Sequence, residues 1–137
     1  MSVYLDTSVV VSFFVRDDHA VTVRKWAETE PKVTISDWTA TEFTSALSYQ
    51  VRAGRLSERE RRAAELGFDR WMAQRSVLEV ERDRFRDARH LMRNHARLRA
   101  PDALHLAIAR QNGLALATLD QDMREAATAE GMKIIEL

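Results

Sequence analysis

A chain of 137 residues, 45% hydrophobic with four glycines and two prolines, can bury one core without staples and is short for two, so one domain over residues 1–137 is expected. The lack of cysteine excludes disulfides, zinc–thiolate sites and thiol nucleophiles, and fits a cytoplasmic protein. The formal net charge is zero, so the total does not indicate a strongly basic nucleic-acid binder; no apolar run approaches the roughly 18 residues of a membrane span, and Asp6 falls where a leader peptide would need apolar residues.

Val3-Tyr4-Leu5 is short, apolar and β-prone, and Asp6-Thr7-Ser8 offers capping side chains before the apolar stretch Val9 to Val15; strand, turn and helix are expected. His19 to Glu30 carries Val21, Trp26 and Ala27 at mixed helical spacing and stops at Pro31, as a second short helix would. Val33-Thr34-Ile35 predicts the next strand. Ser36-Asp37 can then cap a long helix to about Ala53, with Ala46, Leu47 and Val51 on one stripe and Gly54 as its stop. Ser57-Glu58-Arg59-Glu60 has the form of a capping box for a helix to about Gln74.

Val77 to Val80 is a strand candidate, and Glu81 to Asn94 spaces Phe85, Ala88 and Leu91 as a helix does. Pro101 suits the first turn of a helix ending before Gly113. Leu114 to Thr118 predicts an apolar strand, followed by a helix from about Gln121 to Glu130 and the apolar segment Lys133-Ile134-Ile135. Short apolar strands separated by helices imply parallel pairing through right-handed crossovers, hence an α/β sandwich.

The balanced total conceals an uneven distribution. Residues 55–99 hold thirteen Arg against eight Asp and Glu, while both flanking segments are acidic. These arginines can be solvated helix faces laced with i,i+4 ion pairs, or a rim that attracts phosphate.

Ligands of an open parallel sheet collect outside the carboxyl ends of its strands, and four acids fall where those ends are predicted. Asp6 follows the first strand, Glu42 lies in the early turns of the helix after the second, Asp102 in the first turn of the helix at Pro101, and Asp120 just beyond the strand 114–118. Taken singly, Asp6 can be an ordinary helix cap, Asp102 a partner of the helix dipole, and Asp120 and Asp122 turn residues. Glu42 lies among Trp38, Phe43, Ala46 and Leu47, where an isolated carboxylate is costly. Together, four such acids raise one another's pKa unless a cation neutralises them. An all-oxygen set selects Mg2+ or Mn2+ over zinc or copper, and phosphodiester hydrolysis is the reaction such a site suits best.

In order and spacing, the segments Val3-Tyr4-Leu5-Asp6-Thr7-Ser8, Thr41-Glu42-Phe43, Pro101-Asp102-Ala103-Leu104-His105-Leu106-Ala107 and Leu116-Ala117-Thr118-Leu119-Asp120 resemble the PIN-domain ribonucleases, and within them the VapC-type toxins of bacterial toxin–antitoxin pairs. The resemblance implies a PIN-like three-layer α/β/α sandwich with a short, mainly parallel central sheet. It implies that Asp6 and Asp102 hold a divalent ion, that Glu42 and Asp120 complete the cluster, and that Thr7 and Thr118 orient the carboxylates. Asp122 is a further nearby acid without an assigned role. A VapB-type antitoxin, a homodimer and an RNA substrate belong to the same expectation. His105, in an apolar setting, reads as a structural histidine satisfied by one hydrogen bond; Trp26, Trp38 and Trp71 read as core or subunit interface. A metal phosphatase or DNA nuclease, and a catalytically idle partner-binding domain, are the competing functions.

Overall fold

The structure is a computed structural model and describes residues 2–137. The first strand, β1 (Ser2–Leu5), leads into α1 (Thr7–Phe14) and α2 (Ala20–Ala27). Strand β2 (Lys32–Ser36) leads into α3 (Asp37–Arg52) and α4 (Glu58–Met72), and β3 (Ser76–Leu78) into α5 (Arg82–Asn94) and α6 (Ala100–Gln111). Strand β4 (Ala115–Ala117) is followed by α7 (Gln121–Ala129). The sheet order is β3-β2-β1-β4 and every pairing is parallel, as crossover helices between consecutive strands require.

Side-chain alternation along the strands divides the core into two. Val3 and Leu5 of β1, with Ala115 and Ala117 of β4, face the residues of α1, α3 and α4, among them Val9, Phe43, Leu47 and Phe68. Tyr4 and Leu116 face the opposite way, onto Ala88 and Leu91 of α5, Ala103 to Ala109 of α6 and Met123 of α7. Helices on both faces make the expected α/β/α sandwich. Burial on both sides explains why β1 reads as a continuous apolar run rather than an alternating one.

Helix starts follow their local chemistry. Ser36 and Ser57 each cap a helix in a capping box, closed by Thr39 and Glu60 respectively. The second helix stops at Ala27, short of Glu30: Thr29 Oγ1 donates to the Trp26 carbonyl at 2.7 Å, and Glu30, whose helical conformation Pro31 disfavours, adopts a positive φ of 52°. The segment 133–135 pairs with β4 only through an isolated bridge, Ile134 beside Leu116. Trp26 and Trp71 pack on the α1–α4 side of the core and Trp38 on the other. No described helix is long and apolar enough to cross a membrane.

Candidate functional site

The carboxyl ends of β1, β2 and β4 open on one side of the sheet, where α1, α3 and α7 begin. Asp6 is the N-cap of α1, with Oδ1 accepting from Val9 N at 3.3 Å and from the Ser8 hydroxyl, and Oδ2 accepting from Thr118 Oγ1. It is 3% exposed. Burial raises its pKa, an effect that the Ser8 and Thr118 hydroxyls oppose. A cap spends one oxygen, so the ordinary role of this aspartate and a role in the cluster coexist in one side chain.

Asp120 repeats the device at α7: its Oδ1 accepts from Met123 N at 2.8 Å, and its backbone N–H donates to Thr118 Oγ1 at 3.0 Å. Thr118 is buried, and its hydroxyl joins the two aspartates. The loop they share is pinned by Leu119 N on Ser8 Oγ at 3.3 Å and by Arg124 Nη2 on the Thr118 carbonyl at 3.1 Å.

Glu42 projects from α3 with Oε1 accepting from Thr7 Oγ1 at 2.7 Å and from His105 Nε2. Burial alone would raise its pKa, but the hydrogen bonds from His105 and Thr7, with the charge of Arg99, bring it below the usual glutamate value. Asp102, in the first turn of α6, is 19% exposed and lies 3.6 Å from Arg99. Trp38 Nε1 donates to the Pro101 carbonyl at 3.3 Å and so ties that turn to α3. The Asp102 carboxyl is pushed up to about 6, first by burial and then by the charge of Asp120, with Asp6 and Glu42 adding to it and Arg99 opposing. All four predicted acids thus act on one point.

Among the described residues, no three acid or histidine side chains are placed so as to hold a metal ion together; in the conformations described, oxygens of Asp6, Glu42 and Asp120 are held by hydroxyl, imidazole or backbone donors. The donor set nevertheless fits a hard divalent cation. It is all oxygen, it concentrates negative charge where helix N-termini supply only partial compensation, and magnesium needs few carboxylates because it keeps waters. A recess of about 360 Å³ beside it is lined by Thr7, Ser8, Ala46, Leu119 and Asp120.

Asp122 stands apart. Two residues beyond Asp120 on a helix, it is rotated to another face and lies 3.8 Å from Arg97. His105 is buried, but one hydrogen bond does not describe it: Nδ1 meets Tyr4 Oη at 2.7 Å while Nε2 meets both Glu42 and Thr7 Oγ1. The sequence reading also missed Ser8 and Arg99. The pattern Asp6-Thr7-Ser8 carried the signal for the first, since a hydroxyl two residues after a capping aspartate can reach its carboxylate.

The α/β/α architecture recurs in solved structures. The VapC20 toxin of Mycobacterium tuberculosis, described as cleaving the sarcin–ricin loop, superposes with a TM-score of 0.75 at 21% identity, over 98% of this chain and 99% of that one. VapBC-5 of the same organism, a member of the VapBC family of toxin–antitoxin systems, gives 0.66 at 25% identity over 99% and 98%. FitAcB of Neisseria gonorrhoeae gives 0.68 at 18% identity over 98% and 96%. No curated protein matches the sequence. The family model of the PIN domain matches residues 3–129, which include all four acids, and the chain belongs to the PIN domain family.

Proposed function

We propose that this protein is a Mg2+-dependent endoribonuclease of the VapC toxin type, with Asp6, Glu42, Asp102 and Asp120 as its catalytic acids, neutralised by a VapB-type antitoxin. The observation that carries the reading is the gathering of four acids from α1, α3, α6 and α7 at the carboxyl ends of the strands, near enough that the charges of Asp120, Asp6 and Glu42 all bear on the partly buried Asp102. Asp6 and Asp102 would hold the ion, and Glu42 and Asp120 would position the attacking water and accept its proton. Thr7 and Thr118 fix the orientation of Glu42 and Asp6. Magnesium, with manganese as a substitute, supplies water activation and neutralises charge on the phosphate in the transition state.

The arginines supply the grip on RNA, and α5 supplies it better than α4. On α4, Arg61 is held by Glu58 and by Glu65 at 2.8 Å, and Arg62 lies 3.7 Å from Glu58. On α5, Arg82, Arg86, Arg89 and Arg93 are exposed at helical spacing on one face. Among the described residues only Arg86 of these four has an ion pair, to Asp83 at 3.7 Å. The helix packs beside α6, which carries Asp102, and beyond its end Arg99 lies 3.6 Å from Asp102 while Arg97 is paired with Asp122 at 3.8 Å.

The toxin reading draws support from VapBC-5 and from the Klebsiella pneumoniae toxin–antitoxin complex that shares the fold. A homodimer belongs to the same proposal. The purified chain should cleave RNA with Mg2+ and not with chelator, and should leave DNA intact. Its expression should halt growth, and co-expression of a small protein encoded beside it should restore growth. Equal cleavage of RNA and DNA, or unimpaired growth with soluble intact protein, contradicts the reading.

A further inference from the structure

We infer that His105 is a positioning residue, which holds Glu42 in the acidic cluster through a hydrogen on Nε2 whose place is fixed by Tyr4 and Ser36. The inference rests on the ribonuclease reading for its consequence, though not for its geometry. Ser36 Oγ accepts the Thr39 N–H as the N-cap of α3, at 3.4 Å, and the nearest acceptor for its own hydroxyl hydrogen is Tyr4 Oη at 2.8 Å, Thr39 Oγ1 lying farther, at 3.4 Å from both. Tyr4 is fully buried, and its phenol, protonated at neutral pH like any tyrosine, has one hydrogen to give. With Ser36 donating to it, the Tyr4 hydroxyl directs its own hydrogen at His105 Nδ1, 2.7 Å away. Nδ1 is then an acceptor, so the imidazole hydrogen sits on Nε2 and points at Glu42 Oε1, the oxygen that also takes the Thr7 hydroxyl.

A histidine that merely fills a core does not need both nitrogens engaged. This one, 1% exposed, joins β1, α3 and α1 at the floor of the cluster. Glu42 without it would face Asp6, Asp102 and Asp120 with one donor, Thr7, and would swing from their like charges. With Oε1 committed to His105 and Thr7, Oε2 is the oxygen available to a ligand, and the carboxylate's direction is set before a ligand arrives.

The test uses the full chain and three variants: His105→Leu, His105→Gln, which restores a donor at the place of Nε2, and Tyr4→Phe, which removes the hydroxyl from Nδ1. In metal-free wild-type protein, the imidazole 15N spectrum should show hydrogen on Nε2 and a bare Nδ1, and Tyr4→Phe should blur this into a mixture of tautomers. Mn2+ affinity should fall about 10- to 100-fold in His105→Leu and recover most of that in His105→Gln. A hydrogen on Nδ1 in the wild-type protein, in a neutral or a charged ring, overturns the inference; so does a folded His105→Leu that binds Mn2+ as the wild type does. Should His105→Leu fail to fold, the wild-type spectrum, Tyr4→Phe and the Gln variant still decide. If the tautomer and the Mn2+ results hold while the wild type cuts no RNA, the inference stands and the ribonuclease reading falls.

Discussion

The two ends of the sheet differ in kind. At the amino ends of β2 and β3 lies an open groove of about 670 Å³ lined by Phe13, Phe14, Lys32, Val33, Trp71 and Ser76. At the carboxyl ends lie the acids and a recess of about 360 Å³, roughly half the groove's volume. Size and chemistry therefore separate. The groove is walled by an aromatic cluster in which Phe13, Phe14 and Phe68 sit 6.0, 6.0 and 6.1 Å from Trp71, which is packing that stabilises the α1–α4 side. The recess takes Thr7, Ser8 and Asp120 into its wall beside Val11, Ala46 and Leu119, and the acids gathered there are held by hydroxyls and backbone N–H groups around concentrated charge. A reaction needs the second arrangement, because groups already oriented lose nothing in reorganising as charge develops.

The sharpest way to break this contrast is substitution at each end. Asp6→Asn and Asp120→Asn should each lower RNA cleavage by about a thousand-fold or more, with circular dichroism unchanged, since charge goes and volume stays. Trp71→Ala at the other end should cost about 3 kcal/mol of stability, read by urea denaturation, while the protein that remains folded cleaves at a rate within a few-fold of the wild type. Loss of cleavage in folded Trp71→Ala would move chemistry toward the groove and undo the comparison.

Thr118→Val probes the bracing rather than the acids. It keeps volume and removes the hydroxyl shared by Asp6 and Asp120, so metal affinity measured by calorimetry should weaken about 10- to 100-fold. A Thr118→Ser variant should lie between.

The metal-free protein should also record the crowding of charge. Asp102 has a folded pKa of about 6, above its ordinary 3.8. Its ionisation therefore disfavours the fold: the cost is absent below about pH 4, accumulates as pH rises to about 6, and is constant above. Asp102→Asn should thus be more stable than wild type at pH 7 by on the order of 1 kcal/mol, the shift being discounted for a partly solvated group. The gap should close as pH falls toward 4. A gap that widens on acidification has the wrong sign for this account.

The smallest effect separates the two arginine-bearing helices. Arg89→Gln with Arg93→Gln should weaken RNA binding at all sequences and flatten its salt dependence by about 0.7 for every phosphate no longer neutralised; binding would be measured in an Asp6→Asn background. Arg61→Gln with Arg62→Gln, whose charges are spent on Glu58 and Glu65, should change the slope much less. Equal slopes would make both helices solvated faces.

What was legible in the sequence was local. Capping serines, Pro101 and the glycine stops placed most helix ends within a residue or two, whereas the helix before Pro31 ends three residues earlier than that proline suggests. Positions of the acids relative to strand ends were legible too, because the carboxyl-end rule converts order along the chain into a place in the fold. What could not be read was the pairing of distant segments. Tyr4 and His105 are 101 residues apart, and nothing in Ala-Leu-His-Leu-Ala distinguishes a histidine that fills a core from one gripping Glu42. Asp122 was the converse case: adjacency to Asp120 suggested kinship, and the helical turn between them sends it to Arg97. The segment 133–135 has the apolar pattern of a strand but forms one bridge, held by Leu116 N on the Lys133 carbonyl and Ile135 N on the Leu116 carbonyl, both at 2.9 Å.

The central claim is that the acids at the carboxyl end hold a divalent ion and with it cut RNA. It is tested most directly by measuring cleavage of a single-stranded RNA against Mg2+ concentration, for wild-type protein and Asp102→Asn side by side. The account predicts saturable, metal-dependent cleavage by the wild type and a loss of about a thousand-fold or more in the variant, not recovered at high Mg2+. Cleavage by Asp102→Asn at the wild-type rate, with metal held constant, would contradict it.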